Sequence, residues 1–483
     1  MTDDDLAFSS IRDLGVLLRS RAISPRELTD LYLGRLDDVG RRLNAVVTIT
    51  DDIAHAQAEL AGAELRQGID RGPLHGIPYG LKDIISAAGA PTTWGLFPDQ
   101  RFSEDATVTR KLRDAGAVLA AKVATIELAG GMGYDNPNAS ISGPPANPWH
   151  TGRWTNGSSS GPAAAVAAGA VPFAIGSDTG GSILMPAAFT GTAGLRATYG
   201  RVSRAGAMTL CWTLDRLGPL CRRADDCGLV LEAVAGPDPR DPASLDRPYA
   251  YQRPNARCQG FRFGVVAGSC DGAEQEVTEN FEASLQLLAQ VGEVDEVELP
   301  HFPYSEVAEV LFEAEAYAAF DDFIAAGRTA ELTANMGRGH RLSGAVLPAH
   351  DYIRAQRIRR LIADAFCNLA GHYDAVVAPS LGVTASGIQD DFEYMLPGAF
   401  GRPLNLAGVL AGTPTISVIN GLGRDGLPTG LQFAGTRLAE NAILDAAVAY
   451  EARSGTHVLR PDGPHGVVGR CAATAGALGG PSA

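Results

Sequence analysis

The residues Trp154-Thr-Asn-Gly-Ser-Ser-Ser-Gly-Pro-Ala-Ala-Ala-Val-Ala-Ala-Gly169 lead through Val171 to Ile175 into Gly176-Ser-Asp-Thr-Gly-Gly-Ser182. Ser158, Ser159 and Ser160 stand just before Gly161, with Pro162 at the expected first helical position. Ala163 to Ala168 has a helix pattern, and Val171 to Ile175 is a strand candidate. A helix N-terminus carries unpaired N–H groups and the positive end of the dipole, which favours a serine oxygen gaining negative charge. After the strand, the glycines of Thr179-Gly180-Gly181-Ser182 let backbone N–H groups turn inward without side-chain obstruction, as an oxyanion hole requires. One Gly/Ser-rich turn is an ordinary loop. Two of them, 24 residues apart and joined by a helix and a strand, carry more weight.

Outward from this unit, helices alternate with short apolar runs. Ser24-Pro25-Arg26-Glu27 combines an N-cap serine, a first-turn proline and a capping-box glutamate, followed by Leu28, Leu31, Leu36 and Val39 at helical spacing. A second helix is expected from about Ile53 to Arg66, then a turn-rich approach to Leu81-Lys82-Asp83-Ile84-Ile85. Thr107 to Ala115 reads as a helix and Ala117 to Ala121 as a strand. Thr415 to Ile419 and Gly430 to Phe433 read as a strand pair before a helix over Glu440 to Glu451. This alternation predicts an α/β sheet covered by helices. No linker interrupts it, so one domain over residues 6–465 is expected, with an unpatterned Gly/Ala-rich tail over 466–483.

Composition narrows the function classes. Lys and Arg number 40 against 55 Asp and Glu, a net charge of −15 that repels a phosphate backbone, so nucleic acid is not an expected partner. The seven cysteines form no Cys-x-x-Cys pair and do not cluster with the nine histidines, which argues for reduced thiols rather than a disulfide framework or a zinc site. The start, Met1 to Leu6, is acidic, and the most apolar stretch, Ala163 to Ile175, is too short to span a bilayer and contains Pro172. A soluble cytoplasmic protein without a membrane partner is the expectation, as monomer or homodimer.

With Leu74-His-Gly-Ile-Pro-Tyr-Gly-Leu-Lys82-Asp-Ile-Ile upstream, the paired loops resemble the amidase signature family, whose members carry a GIP…KD segment, a serine-rich loop and a D-T-G-G-S-I loop. Asn147-Pro148-Trp149, Gly194-Leu195, Thr198 to Ser203, Leu214-Asp215 with Gly218-Pro219, Asn405-Leu-Ala-Gly and Gly426 to Gln432 also match. The resemblance covers nearly the whole chain. It implies a single α/β/α domain with a large twisted mixed sheet covered by helices on both faces. Carried over by position, Ser182 is the acylated nucleophile, Ser158 the bridging serine and Lys82 the base, with the backbone N–H groups of Thr179, Gly180, Gly181 and Ser182 as oxyanion hole. It also places Met132, Gly133 and Tyr134, with Ile183, against the substrate, and puts specificity-setting lids in the least family-like region, about 236–400. Met132 and Tyr134 have an equal claim as packing residues.

A lysine acts as base only when neutral, and with an ordinary pKa of about 10.4 well under 0.1% is neutral at pH 7. Burial among the apolar Leu81, Ile84 and Ile85 favours the neutral form. Asp83 would oppose it unless strand alternation turns its carboxylate to the other face. The chemistry needs no metal or organic cofactor: an acyl-enzyme on Ser182, reached through Ser158 and Lys82, hydrolyses an amide, anilide or carbamate, the last as in urethanase-like members.

Other readings remain open at this level. Gly157-Ser-Ser-Ser-Gly161 fits the G-x-S-x-G elbow of a Ser-His-Asp esterase with Ser159 as nucleophile, but it follows turn residues instead of a buried strand, and neither His301 nor His372 has a recognisable setting. Gly421-Leu-Gly-Arg-Asp-Gly426 matches a dinucleotide fingerprint but leads into a second strand, so a hairpin turn is expected. Arg354, Arg357, Arg359 and Arg360 read as a charged helix face, with binding of an anionic substrate as the lesser alternative. Asn156, Pro162, Thr190 and Leu184 depart from residues common in the family, Leu184 standing where many members carry arginine. That last change counts against the amidase-type component of a glutamine-dependent tRNA amidotransferase, the main alternative within the family.

Overall fold

The computed structural model describes residues 2–251, 258–339, 342–390 and 403–461. The proposed tail over 466–483 lies outside them. The strands in chain order are β1 (Val46–Ile49), β2 (Pro78–Lys82), β3 (Val118–Val123), β4 (Ala146–Asn147), β5 (His150–Trp154), β6 (Phe173–Asp178), β7 (Ala193–Arg196), β8 (Arg216–Cys221), β9 (Phe261–Val266), β10 (Gly292–Val297), β11 (Ala375–Pro379), β12 (Thr415–Leu422) and β13 (Pro428–Ala434). Eleven form one sheet in the order β1-β3-β2-β6-β8-β7-β12-β13-β11-β9-β10, and β4 and β5 pair separately. The sheet is mixed: β3, β2 and β6 run parallel, as do β11, β9 and β10, while β6-β8-β7-β12-β13-β11 are antiparallel neighbours.

Why these residues pair follows from which faces they bury. Phe173 and Ile175 of β6 join one hydrophobic cluster with Tyr79 and Leu81 of β2, while Ala174 between them joins a second cluster with Ala164, Ala165 and Val166. Successive strand residues point to opposite faces, so a strand apolar at every position must be covered on both sides. The cover on one side is the helix Ser160–Ala167, apolar all round and wholly buried. Tyr79 and Phe173, partners in register, stack with ring centroids 5.4 Å apart.

Most of the expected elements are present with shifted ends. The capping box forms, Ser24 N–H donating to Glu27 at 2.8 Å and Glu27 N–H to Ser24 Oγ at 3.1 Å. Gly421 to Gly426 lies in the antiparallel β12–β13 connection, a hairpin as expected. The helix after the serines begins at Ser160, so Pro162 is its third residue and not its first. The turn-rich stretch before the serines contains the β4–β5 pair. The region 236–400 contributes three sheet strands, β9, β10 and β11. The arginine face also needs correction: in the helix Ala349–Ala370, Arg359 turns inward, its Nε donating to Leu410 O at 3.1 Å and Nη2 to Thr213 O at 2.8 Å, while Arg354, Arg357 and Arg360 are exposed. No described helix is long and apolar enough to cross a membrane.

Candidate active site

Lys82 is the last residue of β2 and is fully buried. Its Nζ lies 2.8 Å from Ser158 Oγ, 3.0 Å from Ser159 Oγ and 2.8 Å from Ser177 Oγ. Burial pushes its pKa down to about 7, against the pull of the Asp178 and Asp215 carboxylates. The hydroxyls supply hydrogen bonds without charge, so the amine is solvated by the protein yet free to lose its proton.

The proton inventory sets one of the three contacts apart. Ser159 Oγ donates to Ser177 O at 3.0 Å and accepts Ser177 N–H at 3.2 Å, so toward Lys82 it acts as an acceptor. A neutral amine has two N–H bonds and one lone pair. With one N–H bond directed at Ser159, the other and the lone pair are shared between the Ser158 and Ser177 hydroxyls, each 2.8 Å away and each able to donate to the amine.

Asp83, one residue on, faces the other way. Its carboxylate lies 2.8 Å from Lys122 Nζ, with both side chains fully buried, and it accepts Thr93 N–H at 3.0 Å and the Thr93 hydroxyl. Strand alternation therefore keeps this carboxylate off the Lys82 amine. Lys122 is the counter-example to Lys82, equally buried but paired with a carboxylate.

The second loop is shaped by Asp178 at the end of β6. Its carboxylate accepts the N–H groups of Gly181 and Ile183, each at 2.8 Å, and lies 3.4 Å from Arg196 Nη1. Gly181 has φ of +131°, a conformation open to glycine and strained for other residues. Arg196 is anchored on Asn405 Oδ1 at 2.7 Å, and Asn405 in turn donates to Gly180 O at 2.9 Å. Thr179 Oγ1 donates to Asp215 at 2.7 Å. Burial pushes Asp215 up to about 6 despite backbone donors from Leu210 and Cys211. The turn thus hangs from two carboxylates and one amide.

Of the four proposed oxyanion donors, Gly181 is corrected, since its N–H is spent on Asp178. The N–H groups of Thr179, Gly180 and Ser182 meet no acceptor among the described residues. Ser182 is partly exposed, and its carbonyl accepts Ser159 N–H at 3.2 Å, which ties the two serine loops together. Its hydroxyl makes no side-chain hydrogen bond among the described residues.

Ser177 and Thr179 open on a cavity of about 280 Å³, whose wall includes Met208, Leu210 and Trp212. Met132, Gly133, Tyr134 and Ile183 do not line that cavity. Met132 is buried in the main core and Ile183 packs with Ala163, Leu184, Ala187 and Leu220, while the Tyr134 ring meets Trp154 edge-on. The position of the missing arginine is therefore apolar here, with Leu184 fully engaged in packing. Asn156, replacing a common glycine, has φ of +66° and accepts Gly157 N–H on its own Oδ1 at 2.7 Å. Asparagine is among the few side chains that tolerate that conformation.

The elbow alternative fails on position and partners. Ser159 is fully buried with its hydroxyl committed as above, and His301 and His372 are both exposed. Among the described residues no group of three or more His, Cys, Asp or Glu side chains is placed to hold a metal ion. Sequence reasoning missed Ser177 and Asp178 as parts of the site. Their signal was the strand parity of β6, which sends Ser177 toward Lys82 while the end of the strand leaves Asp178 to gather the following turn.

Comparison with known proteins agrees with this geometry. The Amidase family model matches residues 27–444. A glutamyl-tRNA(Gln) amidotransferase component from Halorhodospira halophila is 36% identical, covering 94% of this chain and 99% of its own. Its counterpart from Geobacillus kaustophilus is 34% identical, with coverages of 94% and 98%. The native peptide amidase of Stenotrophomonas maltophilia superposes with a TM-score of 0.82 at 32% identity, over 94% of this chain and 98% of that one. Matches of this extent, to both peptide amidase and amidotransferase relatives, make this chain a member of the amidase signature family, hydrolases that act on C–N bonds.

Proposed function

We propose that this chain hydrolyses a neutral small-molecule amide, anilide or carbamate bearing an apolar or aryl group, through an acyl-enzyme on Ser182. The observation that carries the reading is the Lys82 amine, fully buried, held near pKa 7 and 2.8 Å from Ser158 Oγ. Ser182 Oγ attacks the carbonyl carbon, passing its proton to Ser158 while Ser158 passes its own to Lys82. The oxyanion receives the free N–H groups at Thr179, Gly180 and Ser182. The proton returns by the same relay to the leaving nitrogen as the C–N bond breaks. Water then attacks the acyl group, restoring Ser182 and releasing the acid. Among the described residues the Ser182 hydroxyl makes no side-chain hydrogen bond, and the relay closes when the substrate packs over it.

Support for a neutral substrate comes from the cavity wall, where two of the three arginines are paired with carboxylates. Arg204 pairs with Asp241 at 3.0 Å, Arg240 with Glu104 at 3.4 Å, and Arg216 donates to the carbonyls of Val409 and Thr413. A second reading, favoured by the amidotransferase relatives, is a protein that takes ammonia from glutamine within a complex with partner proteins. The purified chain alone, given a panel of aryl amides, carbamates and esters, is expected to release amine or alcohol. Ser182→Ala should abolish the release and the acyl adduct seen by mass spectrometry. An inert chain that gains glutaminase activity on adding such partners would establish the second reading instead.

A further inference from the structure

Trp212 lines the cavity against Ser177 and Thr179 and also a second one, of about 340 Å³, walled by Ala314, Ala318 and Tyr352. The residue is 46% exposed, although tryptophan is on average a well-buried residue.

The backbone beneath it is held from every side. Leu210 and Cys211 donate their N–H groups to Asp215 at 2.8 and 2.9 Å, and Thr213 donates N–H and hydroxyl to Glu315 at 2.9 and 2.7 Å. The Trp212 carbonyl accepts from Tyr199 OH at 2.6 Å and from Arg204. The Thr213 carbonyl accepts from Arg359 at 2.8 Å. A fixed backbone presenting a large open ring is a preorganised contact surface, because binding to it orders no loop.

The second cavity offers little else to a ligand. Its polar groups are spent on one another: Tyr352 OH donates to Glu315 at 2.9 Å, and Glu315 already holds Thr213. Ala314 and Ala318, one turn apart on the helix Tyr304–Ala319, supply a flat face of two methyl groups. What remains is an indole, a phenol ring held by its hydroxyl, and those methyls.

We propose that Trp212 is a specificity-determining residue, and that the second cavity receives an aromatic or comparably wide apolar group of the substrate whose carbonyl sits at Ser182. The proposal rests on the reading of Ser182 as nucleophile, and Trp212, the residue common to the walls of both cavities, is what links the subsite to the Ser177–Thr179 side of the site. The aryl group can belong to the acyl or to the amine half of the substrate, and the test separates the two.

Phenylacetamide, acetanilide and propionamide are compared in the wild type, Trp212→Ala and Trp212→Phe. For one or both aryl substrates, the ratio of kcat/KM to that of propionamide should fall about tenfold in Trp212→Ala, mainly through KM, and recover in Trp212→Phe. The substrate whose ratio falls identifies the half that enters the cavity. A loss equal for all three substrates, or no loss, overturns the proposal, the former pointing to a structural role. As a measurement independent of turnover, phenylacetamide added to Ser182→Ala should change tryptophan emission. The change should vanish when Trp212→Phe is added, which assigns it among the chain's four tryptophans. An emission response in a chain that hydrolyses nothing supports the subsite and refutes the reaction instead.

Discussion

Replacing Lys82 by methionine separates what the amine does for catalysis from what it costs the fold. Folded Lys82 titrates at about 7 and an unfolded lysine at 10.5, so between those values the unfolded chain binds more protons. Wild-type stability therefore rises with pH across that window relative to Lys82→Met, in which nothing titrates at this position. The two pKa values give a change in the stability gap of roughly 2 kcal/mol between pH 7 and pH 9, and roughly 4 kcal/mol over the whole window. Loss of the contacts to Ser158, Ser159 and Ser177 adds a penalty to the variant, but one that does not vary with pH. Guanidinium unfolding of both proteins at pH 7, 8 and 9 reads the gap directly, without a substrate. Lys82→Met should compare best with the wild type at pH 7 and progressively worse above it, and be inactive throughout. A gap that stays constant over these pH values would refute the claim that burial neutralises this amine.

Three further outcomes follow from the same geometry. In the wild type, kcat/KM should climb with pH and level off above about 7 as Lys82 loses its proton. An ordinary lysine would be neutral in only roughly 1 molecule in 3,000 at pH 7, so a profile still climbing at pH 9 contradicts the site as described. Asp83→Asn leaves the buried Lys122 without its carboxylate and should destabilise the chain by about 3–5 kcal/mol in denaturant titrations, while the molecules that remain folded retain turnover. Leu184→Arg, although arginine is common at that position in the family, should lower stability by about 3 kcal/mol, because Ala163, Ile183, Ala187 and Leu220 leave no partner for the charge. An unchanged melting temperature in that variant would show that the wall opens.

The site was legible in the sequence where local chemistry is unusual. A lysine inside an apolar run, a serine triplet before a helix and a Gly-Gly-Ser turn after a strand each break the local pattern, and they converge in space. Strand alternation offers Asp83 a way to face away from Lys82, and the structure takes it. What stayed hidden depends on long-range contacts. Arg359 looks like its exposed neighbours until the carbonyls of Leu410 and Thr213 are brought to it from 51 and 146 residues away. Arg196 and Asn405 support the Gly180-Gly181 turn across 209 residues, a relation no window of sequence contains. Gly181 reads as an open donor because only the folded turn brings Asp178 back under its N–H. The strand ends and the start of the serine-loop helix moved by a few residues for the usual reason, that termini are set by caps and packing more than by propensity.

Lys82 and Lys122 lie on adjacent parallel strands, the first opposite Val123 and the second opposite Leu81, and both are fully buried. The pleat acts as insulation between two electrical regimes, one a buried amine among hydroxyls with its pKa pushed down to about 7, the other a buried amine held against a carboxylate. Inserting or deleting a single residue in β2 would reverse the parity, exchanging the faces of Lys82 and Asp83 while leaving the strand almost as apolar as before. Such a change would silence the enzyme by rewiring instead of by unfolding. The length of this five-residue strand is therefore as much a part of the proposed site as the lysine at its end.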